Sequence, residues 1–266
     1  MPILNKDMTL CISLASRPSN IGTRFHNYLY DELGLNFVYK AFTTNDIAGA
    51  RALGIRGCSV SMPFKEAVLS LVDAVEPSAA AIESVNTIVN DDGILTASNT
   101  DYEATADLID RNGLDKDQSV LVRGSGGMAK AVVAAFRGAG FDDLTIVGRN
   151  AAAARVIAEK YGYRSVGDDP APGHAIIVNV TPLGMRGDHA HDLAFTEDHI
   201  RAAHTVFDVV ALPSETPLIR TARAVGKPVI TGGDVIALQA AAQFVRYTGV
   251  TPTAEQISRA SAFSRE

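Results

Sequence analysis

Ser119-Val120-Leu121-Val122-Arg123 runs directly into Gly124-Ser125-Gly126-Gly127-Met128-Ala129-Lys130-Ala131, and an apolar helical pattern follows over Val132 to Phe136. Strand, glycine turn and helix in this order are what a dinucleotide-binding loop requires. The glycines let the backbone approach a pyrophosphate, which then rests on the partial positive charge of the helix N-terminus. The next strand ends at Val147-Gly148-Arg149-Asn150, where a cofactor with a free 2′-hydroxyl would meet Asp or Glu. The guanidinium fork of Arg149 suits a 2′-phosphate instead, which favours NADP over NAD.

Outward from this loop, short apolar runs alternate with helical patterns, an arrangement that predicts parallel sheets covered by helices. Strands are expected at Leu10 to Leu14, Phe37 to Ala41, Gly57 to Val60 and Val85 to Val89 in the first hundred residues. A second series of five is expected at Val120 to Arg123, Leu144 to Val147, Ala175 to Val180, Val206 to Val210 and Val229 to Ile230. Helical spacing covers Phe25 to Leu33, Asp46 to Leu53, Phe64 to Val72 and Tyr102 to Ile109, the last with Thr100 or Asp101 as N-cap and Gly113 as terminator. A final helix, Val235 to Tyr247, is apolar on more than one face, which places it back against the first domain. The fold class is α/β: a first domain at 1–100 completed by 235–266, and a dinucleotide-binding domain at 101–234.

Composition narrows the function classes. The 266 residues include 47% hydrophobic and 20% charged, with a net charge of -6, so a basic face for nucleic acid is not expected. The apolar run Met8 to Ala15 is too short for a membrane span and lacks the flanks of a signal peptide. Cys11 and Cys58 sit in apolar strands without a ligand-spaced partner, as reduced core thiols would. These features point to a cytoplasmic protein. His189 and His191 flank Ala190 without a third spaced ligand, so a solvated loop is expected there and no metal site. His26 is expected to pack or cap its helix, and a hydrolase is disfavoured because no serine or cysteine sits in a nucleophile elbow.

Three polar residues stand near strand ends of the first half: Lys65 after the third strand, Asn86 near the fourth and Asp101 at the domain junction. Ligands of α/β sheets gather outside carboxyl strand ends, so the three are candidates for one site. Pro63 suits the first position of a helix running through Glu66, which puts Lys65 in its first turn. The field of that helix end disfavours the protonated amine, a setting suited to a group that transfers protons.

Six motifs occur in order: Ser61-Met62-Pro63-Phe64-Lys65, Ser84-Val85-Asn86-Thr87, Asn99-Thr100-Asp101, Gly124-Ser125-Gly126-Gly127, Asn179-Val180-Thr181-Pro182-Leu183-Gly184-Met185 and Gln239-Ala240. In this the chain resembles the shikimate dehydrogenases over residues from about 10 to 250, looking closest to the shikimate dehydrogenase-like branch. The resemblance implies an NADP-dependent oxidoreductase with a split substrate domain and a Rossmann domain, acting on a shikimate- or quinate-like ring acid. It gives Lys65 and Asp101 the catalytic pair, Asn86 and Gln239 the substrate hydroxyl contacts, and Ser61 a substrate hydrogen bond. It assigns Gly124 to Met128 (Gly124, Ser125, Gly126, Gly127, Met128) and Gly148 to Asn150 (Gly148, Arg149, Asn150) to the cofactor, with Val209 and Gly232 beside the nicotinamide.

The chain also departs from the family pattern. The usual Ser-x-Ser-Pro segment is Ser16-Arg17-Pro18-Ser19-Asn20-Ile21-Gly22, and its two hydroxyl positions fall on Asn20 and Gly22 in one register or Ser16 and Ser19 in another. Arg17 is a further candidate for a substrate carboxylate. Ala211 stands where a tyrosine is usual, and Gly232-Gly233-Asp234-Val235-Ile236 lacks the usual methionine. These changes surround the substrate carboxylate and the nicotinamide, leaving the reaction type expected and the ring acid open. The competing class is a non-catalytic sensor of dinucleotide and ring acid, which would be free to lose Lys65 or Asp101; both are retained, and no DNA-binding segment is appended. A homodimer is common for such folds.

Overall fold

The computed structural model describes residues 4–44, 54–167 and 170–266. The chain divides into two compact units, Met1–Thr100 with Ala237–Glu266, and Asp101–Ile236. The expected helical segment Asp46 to Leu53 lies outside the described residues.

In the first unit the elements are β1 (Thr9–Ala15), α1 (Ile21–Glu32), β2 (Phe37–Thr43), β3 (Gly57–Val60), β4 (Ala74–Val75), α2 (Pro77–Ala80), β5 (Thr87–Asp91) and β6 (Ile94–Ser98); α3 (Thr100–Arg111) follows. The sheet order is β2-β1-β3-β5-β6-β4. β1 pairs in parallel with β2 and β3, but β5 is antiparallel to both β3 and β6, so this sheet is mixed where a parallel one was expected. The reason is local. Asp92 and Gly93 take positive φ of 50° and 95°, the backbone of a two-residue hairpin that joins Asp91 to its partner Ile94. Reversal puts the start of β5 at the carboxyl end of β3: the Val60 N–H donates to the Asn86 carbonyl (2.8 Å).

The second unit reads β7 (Val120–Arg123), α4 (Gly127–Gly138), β8 (Leu144–Val147), α5 (Ala151–Tyr161), β9 (Arg164–Val166), β10 (Ile176–Asn179), α6 (Glu197–Ala202), β11 (Thr205–Asp208), α7 (Pro217–Ala224) and β12 (Val229–Ile230). The strands are parallel in the order β12-β11-β10-β7-β8-β9. Counted within the unit, that is the 3-2-1-4-5-6 order of dinucleotide-binding sheets, whose switch point lies between β7 and β10. Val120, Leu121, Val122, Ile146, Ile177 and Val178 are buried, as continuous apolar runs in a sheet covered on both faces should be. Five strands were expected; the sixth, β9, is a three-residue edge with two exposed residues and no apolar run to announce it.

Two helices close the chain, α8 (Gly232–Thr248) and α9 (Ala254–Arg265). Ala240, Ala241, Phe244 and Tyr247 of α8 join Phe25, Leu29 and Tyr30 of α1 and Tyr39 of β2 in one core of the first unit. Gly57 is needed there, since a Cβ would sit 2.2 Å from a Tyr247 ring carbon. The expectation that Val235 to Tyr247 ends the helices is corrected by α9. Its start is a capping box, with the Thr253 hydroxyl accepting from the Gln256 N–H and the Gln256 side chain accepting from the Thr253 N–H.

Candidate active site

The rim of the first unit gathers at the carboxyl ends of β1 and β3. Ser16 follows β1 and donates its N–H to the Met62 carbonyl (3.3 Å), while the Ser61 N–H donates to the Leu14 carbonyl (2.9 Å). Ser16, Ser19, Asn20 and Ser61 are all exposed on this rim. Ser19 helps to begin α1, its hydroxyl accepting from the Ile21 N–H (3.4 Å); Asn20 occupies the N-cap position without a side-chain capping bond.

Lys65 is half-buried, but the helix expected around it is not there. Met62-Pro63 is a cis peptide bond, residues 62–66 form turns, and only a five-residue 3-10 helix, Ala67–Leu71, follows. The Lys65 carbonyl accepts from the Val85 N–H at 2.7 Å, so it is committed to a distant segment and not to the next helical turn. Lys65 therefore precedes a short 3-10 helix and does not stand in the first turn of an α-helix, while the same hydrogen bond ties it to the segment carrying Asn86.

Asn86, 3% exposed, is a buried junction. Its Oδ1 accepts from the Thr100 N–H (2.8 Å), the Thr87 hydroxyl (2.8 Å) and the Thr100 hydroxyl (3.1 Å). Thr100 had been one choice for the cap of α3, yet the helix begins at Thr100 itself and Asn86 satisfies its free N–H. The Thr100 hydroxyl also reaches Gln239 Oε1 at 3.4 Å, which brings half-buried Gln239 into the group. Asp101 is the second residue of α3 and belongs to the second unit; a carboxylate in a first helical turn is electrostatically favoured. His26 packs as expected: fully buried, stacked on Tyr39 at 4.4 Å and held neutral, since burial lowers its pKa to about 3 against an opposing pull from Gln243.

In the second unit the switch point carries the glycine cradle. Gly124 has φ +129°, and a Cβ there would lie 2.7 Å from Val180 Cγ2 and 3.0 Å from the Val180 carbonyl oxygen. Only glycine permits β7 and β10 to end so close together. Gly126 is the N-cap residue of α4 and Gly127 its first residue; Cβ positions on both face open space. A cleft of ≈ 750 Å³ is lined by Gly124, Ser125, Gly126, Gly148, Arg149 and Asn150. Arg149 is exposed, and the Asn150 Oδ1 caps α5 by accepting from the Ala153 N–H (3.0 Å). Backbone N–H groups at a helix start, room for close approach and a flanking guanidinium fit a dinucleotide phosphate group. Gly127 and half-buried Met128 stand outside this lining. Val209 and Gly232 are brought together elsewhere: a Gly232 Cβ would lie 2.4 Å from the Val209 carbonyl oxygen and 2.3 Å from that of Val210.

Three lining features go beyond the residues expected at the cofactor. Arg123 closes β7 with its guanidinium 5.4 Å from the Phe195 ring centroid. Thr181 to Leu183 supply the wall after β10. His189 lines the cleft too, its Nδ1 2.7 Å from Asp192 Oδ2. Behind Val209, buried Asp208 accepts from the Thr216 hydroxyl (2.6 Å), the Asn179 amide (3.0 Å) and the Val210 N–H (3.0 Å); burial pushes its pKa up to about 6 against those bonds.

Sheet order, cradle and cleft define an α/β protein of the Rossmann nucleotide-binding class, carrying a second α/β unit with a polar rim. Residues 20–88 match the family described as shikimate dehydrogenase substrate binding domain. The chain is 55% identical to a shikimate dehydrogenase-like protein of Haemophilus influenzae over 99% of both chains. A solved shikimate 5-dehydrogenase-like protein superposes with a TM-score of 0.95 at 55% identity, covering 99% of this chain and 100% of the other. Shikimate 5-dehydrogenase of Thermus thermophilus, solved in complex with NADP(H) and shikimate, gives a TM-score of 0.85 at 27% identity, with 97% and 99% covered. The chain belongs to the shikimate dehydrogenase family.

Proposed function

We propose that this chain is an NADP-dependent oxidoreductase that interconverts a ring secondary alcohol and its ketone on a shikimate- or quinate-like hydroxy acid, with shikimate + NADP+ = 3-dehydroshikimate + NADPH as the reference reaction. The observation that carries this reading is the first unit's rim, where Lys65 is tied to the segment of Asn86 and the amides of Asn86 and Gln239 adjoin one threonine. Family membership and a relative solved with NADP(H) and shikimate support it.

When bound, NADP supplies the acceptor for the hydride leaving the carbinol carbon. Lys65 takes the hydroxyl proton in oxidation and returns it in reduction, and Asp101 hydrogen-bonds the same hydroxyl to orient it. Asn86 and Gln239 hold ring hydroxyls, Ser61 adds a hydrogen bond, and Ser16, Ser19 or Asn20 receives the carboxylate. Arg149 pairs with the 2′-phosphate, the N–H groups following Gly124 hold the pyrophosphate, and Val209 and Gly232 border the nicotinamide. Ala211 cannot offer the hydroxyl of the family's usual tyrosine, which shifts carboxylate recognition onto the Ser16–Asn20 segment. We also propose a cytoplasmic enzyme that works as a homodimer. Two free buried cysteines accord with a reducing compartment, and among the described residues no helix is long and apolar enough to cross a membrane; sedimentation reads the oligomeric state.

The test is NADPH formation with shikimate, quinate and related hydroxy acids. Turnover on at least one is expected. Tight NADP binding with turnover on none would replace the enzyme by a sensor.

A further inference from the structure

Thr87 and Gln243 belong to neither the catalytic pair nor the substrate contacts, yet both are buried, at 0% and 3% exposure. Their hydrogen bonds add to that of the Thr100 N–H in holding Asn86. The Thr100 N–H can only donate, so the Asn86 atom 2.8 Å from it is the carbonyl oxygen. Gln243 Nε2 donates to the Thr87 hydroxyl (2.9 Å) and to the Asn86 backbone carbonyl (3.3 Å). With that N–H on its oxygen, Thr87 directs its single hydrogen to Asn86 Oδ1 (2.8 Å). Asn86 Oδ1 is then occupied by donors, which leaves its NH2 as the group that can donate to a ligand.

We propose that Gln243 and Thr87 are positioning residues that fix the polarity of the substrate site, holding Asn86 with its NH2 toward the ligand so that ring oxygens bind as acceptors. This rests on the substrate reading above. Its consequence concerns the two oxidation states. An alcohol oxygen can accept or donate, whereas a ketone oxygen only accepts. With Asn86 set on the oxygen of the reacting carbon beside Lys65, an NH2 there holds both members of the couple, whereas a flipped Asn86, offering its oxygen, holds the alcohol and repels the ketone.

Gln243→Met and Thr87→Val remove the donor and the relay at nearly constant volume. Each is expected to raise KM for 3-dehydroshikimate about tenfold, the worth of one hydrogen bond, and KM for shikimate less than about threefold. NADP affinity should stay at its wild-type value, and Thr87→Ser, which keeps the hydroxyl, should restore the ketone KM. Either variant alone carries the prediction if the other does not fold. In the NMR spectrum of the variants the Asn86 side-chain amide resonances should shift from their wild-type positions. Equal changes for alcohol and ketone, or unchanged KM for both, would overturn the proposal. Wild type inactive on every ring acid would instead remove the substrate reading, and the Asn86 amide resonances would then judge the positioning by themselves: unchanged resonances in the variants overturn it.

Discussion

Unit 2 receives its proposed ligand on backbone: Gly124 is pressed against Val180, Gly126 opens α4, and the cleft between them and Gly148 exists because Cβ atoms are missing. Unit 1 meets its proposed ligand with side chains: Asn86 and Gln239 adjoin Thr100, and the backbones of Ser61 and Lys65 pair with Leu14 and Val85, all partners far off in sequence. A surface of backbone fails when an atom is added. A surface of side chains fails when a polar atom is removed or turned.

That contrast predicts where each unit breaks. Lys65→Ala deletes the proton-transfer group, so kcat should fall about 10²- to 10⁴-fold with NADP affinity unchanged; near-normal turnover would take Lys65 out of the reaction. Adding one methyl group by Gly232→Ala places a Cβ 2.3 Å from the Val210 carbonyl carbon and oxygen, backbone atoms that cannot swing aside. The cost should be about 1–3 kcal/mol, read as a lowered urea midpoint for unit 2. Arg149→Ala should raise KM for NADP about tenfold and leave that for NAD nearly constant, since one charged hydrogen-bonding group is lost from the 2′-phosphate alone. An equal effect on both cofactors would end that assignment.

The smallest effect separates the units by pH. His26 has its pKa lowered from 6.5 to about 3, so below pH 6.5 the unfolded chain binds a proton that folded unit 1 refuses, and stability falls with pH toward 3. Asp208 runs the other way. Its pKa is raised from 3.8 to about 6, so folded unit 2 takes up the proton first and this contribution grows as pH falls from 6 to 3.8. Hydrogen exchange of β1 and β2 against β10 and β11, corrected for intrinsic rates, should show slopes that His26→Phe flattens in unit 1 and Asp208→Asn flattens in unit 2. No change of slope in either variant would contradict the buried titrations.

The same contrast explains what could be read from sequence. β7, β8, the glycine loop and Arg149 follow from rules acting over a few residues, and they stand where the pattern put them. Lys65 departs from the expected helix, its carbonyl claimed by Val85 in a pairing that no window around Pro63 contains. Gln243 and Thr87 are 156 residues apart in the chain, so nothing local links them. Other omissions were legible: Asp92-Gly93 spells a hairpin and Thr253 to Gln256 a capping box. β4, two exposed residues long, carries no pattern to read.

Direct hydride transfer from the ring carbinol to the cofactor is the centre of this account, and one isotope experiment reaches it. Incubation with NADP+ and shikimate deuterated at the carbinol carbon C3 should yield NADPH bearing one deuterium per molecule at the nicotinamide C4, alongside 3-dehydroshikimate. NADPH formed without that deuterium would contradict the account.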